Sequence, residues 1–200
     1  MPQVLSAAEQ EDRLESIVQE TLDNFSMAWR LVDLVITYKA SGFSLPAATV
    51  HLRGAGPPAD IFGTNCGFFA LPVIKMAILD CRRSLGFFGL TRDHSTNRLM
   101  PIEGKDRRPD DLTIENFGLA LVPPAQFIEV ASTVISVPLE PILIEVHSWS
   151  NKQLAHFTST QPTVYYPSIR NMSVAMIEAY MQLLFGALGR PRPNINPSWT

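Results

Sequence analysis

Ser150-Asn151-Lys152-Gln153-Leu154-Ala155-His156 is the stretch of this chain whose residue types could do chemistry. An imidazole takes or returns a proton near neutral pH, an ammonium holds phosphate charge, and an amide orients a ligand. On a helix running from Leu139, residues Glu145, Trp149, Lys152 and His156 follow steps of four, three and four and share one face. Asn151 lies about one step around from them. His156 falls in the final turn, where the negative end of the helix dipole favours its protonated form. Such a set could act on a phosphodiester, with His156 taking a 2′-hydroxyl proton while cations hold the phosphate charge. The same residues also fit a plain role, because a histidine at a helix end can cap carbonyls or pack under a loop.

Other chemistries find little support. His51, His94, His147 and His156 show no ligand-like spacing, and Glu145 with His147 does not make a His-Glu-x-x-His zinc helix. Cys66 and Cys81 lack a second pair at zinc-like spacing and sit among apolar residues, so both are expected to be inert core thiols. Gly54-Ala55-Gly56 runs into Pro57-Pro58, which fits neither a P-loop nor a dinucleotide turn. No metal and no cofactor are expected. A pI near 5.8 argues against a protein that coats nucleic acid through bulk charge. Charge is unevenly spread, however. The stretch from Arg82 to Arg108 carries seven basic against three acidic residues, whereas the first twenty residues carry one arginine against five acidic ones. That asymmetry fits either an anionic partner or a solvated loop.

The elements that must position these groups read as helices. With 46% apolar and 18% charged residues over 200 positions, a globular chain with one substantial core is expected, as a single helical domain over residues 1–190 and a flexible tail over 191–200. Ser6-Ala7-Ala8-Glu9 is a capping-box signature, and Val18, Leu22, Phe25, Trp29, Val32 and Ile36 alternate steps of four and three, which predicts a helix from 7 to 38. Asp60 is a candidate cap for a second helix to about Leu85, and Gly86 to Asp111 reads as a basic loop. Leu112 to Leu121 is ambiguous between helix and strand. Pro124 suits the first turn of a helix to about Ile135, and Pro138 that of the next, to about Phe157. Ser168 is the expected cap of a last helix, which carries a Met172, Met176, Ile177, Tyr180, Leu183, Leu184 and Leu188 stripe and stops at Gly189. The fold class is therefore all-α, a bundle of about five to six helices. Two long apolar stripes exceed what one small bundle is expected to cover, which points to a homodimer. No secretory leader pattern opens the sequence and no apolar run spans a bilayer, so a cytoplasmic protein without membrane contact is expected.

Ser150-Asn151-Lys152-Gln153-Leu154-Ala155-His156-Phe157-Thr158 resembles the Arg-Asn-Lys-x-x-Ala-His-x-(Thr/Asp) signature of the HEPN superfamily, closest to the branch found among phage abortive-infection proteins and toxins. A weaker echo lies in Ile78-Leu79-Asp80-Cys81-Arg82-Arg83 followed by Asp93-His94-Ser95-Thr96-Asn97-Arg98-Leu99. The resemblance implies a helical bundle, a site near a dimer interface, and metal-independent ribonuclease activity in active members. Carried over, Asn151 matches the polar position and His156 the histidine, with Lys152 beside them. Where the family has its arginine this chain has Ser150, which cannot supply a guanidinium fork. Losing one electrostatic stabiliser typically costs about 10²–10³ in rate. The resemblance therefore implies an RNA-directed or nucleotide-binding protein of a defence or toxin–antitoxin setting, weakly catalytic or non-catalytic, with an antitoxin or other protein as a further partner. Two alternatives stand beside it: an active endoribonuclease in which Lys152, Arg170 or a basic residue from Arg82 to Arg108 replaces the arginine, and a non-enzymatic helical interaction module. On the weakly catalytic reading, the protein is expected to cleave RNA poorly and Ser150→Arg to raise cleavage.

Overall fold

The computed structural model describes residues 3–40, 49–52, 59–62, 66–102, 111–153 and 165–195. Helix α1 (Ala7–Arg13) opens with the capping box its sequence requires. The Glu9 N–H donates to Ser6 Oγ at 3.4 Å and the Ser6 N–H to Glu9 Oε2 at 2.8 Å, so each side chain takes up a backbone donor that the first turn leaves free. The chain passes through one widened turn, Leu14–Val18, straight into α2 (Gln19–Ala40). Val18, Leu22, Phe25 and Val32 of the expected stripe are buried, and Trp29 and Ile36 half-buried.

The last helix, α6 (Tyr166–Ala179), continues through widened turns over Tyr180–Gly186 and stops at Gly189, whose φ of 64° is the left-handed conformation that ends helices. Its Met172, Met176, Ile177, Tyr180, Leu183 and Leu184 are buried. Helices α2 and α6 form the most extensive helix pair, and both stripes belong to one hydrophobic cluster within one chain. The premise that a single chain could not cover both stripes therefore fails. Ser168 does not cap α6. It sits in the first turn, buried, with its hydroxyl donating to Glu145 Oε2 at 3.0 Å, because Pro167 pre-sets a helical φ one position earlier.

Among the described residues, two short hairpins accompany the helices. Strand β1 (Thr49–Leu52) pairs antiparallel with β2 (Ala59–Phe62), Val50 opposite Ile61 and His51 opposite Asp60. Asp60 thus belongs to a strand, and α3 (Cys66–Phe88) starts six residues after it. β-Branched and aromatic residues at 49, 50, 61 and 62 favour the extended backbone over a helix start. The expected basic loop is also partly a hairpin. Gly89, at φ 84°, turns the chain out of α3 into β3 (Leu90–Asp93), which pairs with β4 (Arg98–Pro101). The Asp93 carboxylate ties the turn by accepting from the Ser95 N–H and hydroxyl, both at 2.8 Å, and from the Thr96 hydroxyl at 2.5 Å. Asn97 supplies the positive φ of 57° that closes it.

A short tight turn over Ile114–Phe117 resolves the ambiguous segment, and α4 (Pro124–Ala131) begins at the expected proline. Helix α5 (Leu139–Gln153) follows. Its expected end at Phe157 lies outside the described residues. Glu140 holds the second hairpin on α5, accepting from the Leu99 N–H at 3.0 Å and pairing with Arg98 at 3.8 Å. The start of the expected flexible tail has contacts that a free tail lacks: Ser26 Oγ donates to the Ile195 carbonyl at 2.9 Å, Arg192 pairs with Glu178 at 3.6 Å, and the Ile195 side chain packs on the core. The fold is mainly α. No single helix among the described residues is long and apolar enough to cross a membrane.

An aromatic cluster joins these layers. Phe88 contacts Phe87, Phe127 and Tyr180 at centroid distances of 5.2, 5.4 and 5.1 Å, linking α3, α4 and the end of α6, and it is fully buried. Phe88→Ala is expected to cost about 3–5 kcal/mol, through lost burial plus the cavity left among three rings. Urea denaturation checks this by its midpoint, and a cost under about 1 kcal/mol would mean that the cluster collapses without loss.

Candidate functional site

Gly89 folds β3 back along α3, and Glu140 pins β4 to α5, so α3, the hairpin and α5 converge with α2 on one cleft of about 1090 Å³. Helix α3 contributes Asp80, Arg82, Arg83 and Ser84 to its lining, the hairpin Arg92, Asp93 and His94, α5 His147, and α2 Glu20 and Asn24. Its size is at the upper end of small-molecule sites, roughly 300–1,000 Å³. Both widened helical turns touch it, through Ile17 and Val18 at one side and Tyr180 at another. Such turns often accompany functional sites.

His147 is the centre of the cationic side. Its residue is 5% exposed, and its Nδ1 is buried without a hydrogen-bond partner. Burial, and then the positive charges of Arg82, Arg92 and His94, push its pKa from the ordinary 6.5 down to about 4. The imidazole is therefore neutral at pH 7, with two guanidinium groups near enough for their charge to act on it. Arg92 is held by its Nε donating to Asn97 Oδ1 at 3.1 Å, while Arg82 and His94 are exposed at the rim. Asp93 is committed to its turn: hydrogen bonds from Thr96 and Ser95 hold its carboxyl low, at about 2. The lining also carries the carboxylates Glu20, Asp80, Asp93 and Asp111. Asp80 is buried there, accepting from Asn24 Nδ2 at 2.8 Å and pairing with Arg83 at 3.3 Å, and burial raises its pKa against those partners. Tyr180 donates its hydroxyl to Ser84 at 3.0 Å at the floor. A smaller recess of about 490 Å³ shares Arg92 and reaches Ser148 and Trp149 on α5.

The residues singled out in the sequence are placed unevenly. Ser150 is fully buried, and its hydroxyl donates to the His147 carbonyl at 2.7 Å, which is the local bond serines make inside helices. Asn151 and Lys152 continue α5, and His156 lies outside the described residues. Of the shared face, Trp149 is buried and Glu145 exposed. Arg170 is paired with Asp33 at 2.6 Å, which removes it as an obvious substitute for the missing guanidinium. Cys81 is buried, and desolvation pushes its thiol well up, as an inert core cysteine requires. Among the described residues, no group of three or more His, Cys, Asp or Glu side chains could hold a metal ion. Sequence spacing presents His147 only as a zinc-ligand candidate, so it does not mark it as a residue of this cleft. The legible signal was its place one turn before Ser150, together with a glycine at 89 that returns Arg92 and His94 toward Arg82.

No protein-family model matches the chain, nor does any curated protein or solved structure.

The lowered pKa carries a stability consequence. Protonating His147 is disfavoured in the fold, so stability present above about pH 6.5 is lost as the pH falls toward 4, on the order of 3 kcal/mol. His147→Gln cannot protonate, so its denaturation midpoint should fall less steeply over that range. Parallel pH profiles for the two proteins would contradict the assignment.

Proposed function

We propose that the protein is a HEPN-like helical protein that acts on RNA or a nucleotide in the cytoplasm, in a defence or toxin–antitoxin setting, with weak or no catalysis. Its phosphate-recognising site is the cleft between α3, the β3–β4 hairpin and α5. One observation carries the reading: Arg82, Arg92 and His94 converge on a buried, neutral His147 whose Nδ1 has no partner. Arginine forks match phosphate oxygens. In a chain that is acidic overall, two arginines gathered beside one imidazole also fit selective rather than bulk nucleic-acid binding. Weak catalysis follows from Ser150, whose buried hydroxyl leaves the motif position without a cation. Dimerisation and a protein partner belong to the same proposal and rest on the resemblance alone. A second reading, an active endoribonuclease, is favoured by one feature: Arg82 and Arg92 bring guanidinium groups to the helix that carries the motif.

Fluorescence anisotropy of labelled single-stranded RNA against salt tests the proposal. Two to three phosphate contacts give a slope of log K against log salt near −1.4 to −2.1, at about −0.7 per contact. Binding that ignores salt, or no binding, would overturn it and favour a protein-interaction module.

A further inference from the structure

The smaller recess of about 490 Å³ lies along α5, where Ile142, Glu145 and Trp149 follow steps of three and four and share one face. Buried Ile144 and Trp149 and half-buried Ile142 make much of its lining apolar, and Glu145 is exposed beside them. The Glu145 carboxylate is held in place. Ser168, buried in the first turn of α6, donates its hydroxyl to Glu145 Oε2 at 3.0 Å. Arg92 lines both the cleft and the recess, and its Nε bond to Asn97 Oδ1 at 3.1 Å restrains the plane of its guanidinium. A strand whose phosphate meets Arg92 in the cleft therefore has a second hollow within reach of the adjoining nucleotide.

A planar, largely apolar ring with hydrogen-bond donors on one edge suits such a hollow. RNA bases are rings of this kind: their faces pack on apolar or guanidinium surfaces, and their edges are read by polar side chains. A carboxylate accepts and does not donate, so it favours an edge that only donates. Guanine places N1–H and its 2-amino group side by side, and Glu145 keeps acceptor capacity for both beside the Ser168 bond. Adenine and cytosine set a ring-nitrogen acceptor next to their amino group, and uracil flanks its one N–H with two carbonyls. Each of these would turn a lone pair toward a carboxylate oxygen. We infer that the recess takes a guanine base of single-stranded RNA, with N1–H and the 2-amino group donating to Glu145 and the ring against Ile142 and Trp149. The inference rests on the RNA reading above and adds base specificity to it.

Anisotropy competition on the full chain tests this, with a short oligouridylate and versions carrying one central guanosine, inosine or adenosine. The guanosine version should bind roughly tenfold or more tighter than oligouridylate, as a bidentate base contact typically gives. Inosine lacks the 2-amino donor and should fall between them, and adenosine should stay near oligouridylate. Glu145→Gln keeps an acceptor for Ser168, so it should melt like the parent while bringing the guanosine-to-uridine affinity ratio close to one. Equal binding of all four RNAs, or a guanosine advantage that survives Glu145→Gln, would overturn the inference and leave RNA recognition standing. An adenosine version that gains as much as the guanosine one would do the same, since stacking alone would then explain the preference. Failure of every RNA to bind would overturn both.

Discussion

Ser150→Arg is expected to destabilise the protein by about 3–5 kcal/mol rather than to restore a nuclease, because an unpaired guanidinium would have to enter a closed helix interface. Ser150 is 0% exposed and its hydroxyl donates to the His147 carbonyl at 2.7 Å, so a cation at position 150 would be cut off from water. A loss of that size consumes a large share of the roughly 5–15 kcal/mol that holds a domain together. Ser150→Ala, which removes one local hydrogen bond, should cost only about 1 kcal/mol. Thermal unfolding monitored by circular dichroism distinguishes the two. A Ser150→Arg protein that melts like the parent and cleaves RNA would mean that the side chain reaches a phosphate, and would return the site to the end of α5.

The helices were legible where local rules decide. The Ser6–Glu9 box, the two apolar stripes, Pro124 and Gly189 each state a start, a face or a stop, and the structure uses them in that way. Local rules fall short where a polar residue has two possible uses. Asp60 has the chemistry of a helix cap but lies in a strand, and Ser168 has the same chemistry but lies inside a helix that Pro167 already starts. The β3–β4 hairpin was hidden by its charge: Arg92 and Arg98 suggested a loop, while the turn chemistry of Asp93, Ser95, Thr96 and Asn97 was the stronger signal. The stripes, read as surplus, cover each other within one chain, because a linear pattern shows that a face is apolar but not what packs on it.

The candidate site was less legible for the same reason. Arg82, Arg92 and His147 span 65 positions, and nothing local to any of them specifies the others. Their meeting depends on a glycine turn at 89 and on Glu140 docking a strand edge, which are tertiary decisions. Sequence spacing favours a compact motif on one helix, whereas the cations that the structure gathers come from α3 and the β3–β4 hairpin, around a neutral imidazole on α5.

RNA binding by the Arg82→Gln, Arg92→Gln double variant tests the phosphate cleft most directly. Each guanidinium contributes roughly tenfold or more through charge-assisted hydrogen bonds, so the pair should weaken binding on the order of 10²-fold. The slope of log K against log salt should also flatten by about 1.4, since two phosphate contacts are lost. Arg82 is exposed and Arg92 only half-buried, so the variant should unfold at the parent's midpoint and the loss can be read as binding. Weakened binding with a flattened slope in a fully folded double variant is the predicted result. Unchanged affinity and slope in that same folded protein would contradict the account and place any RNA contact elsewhere on the chain.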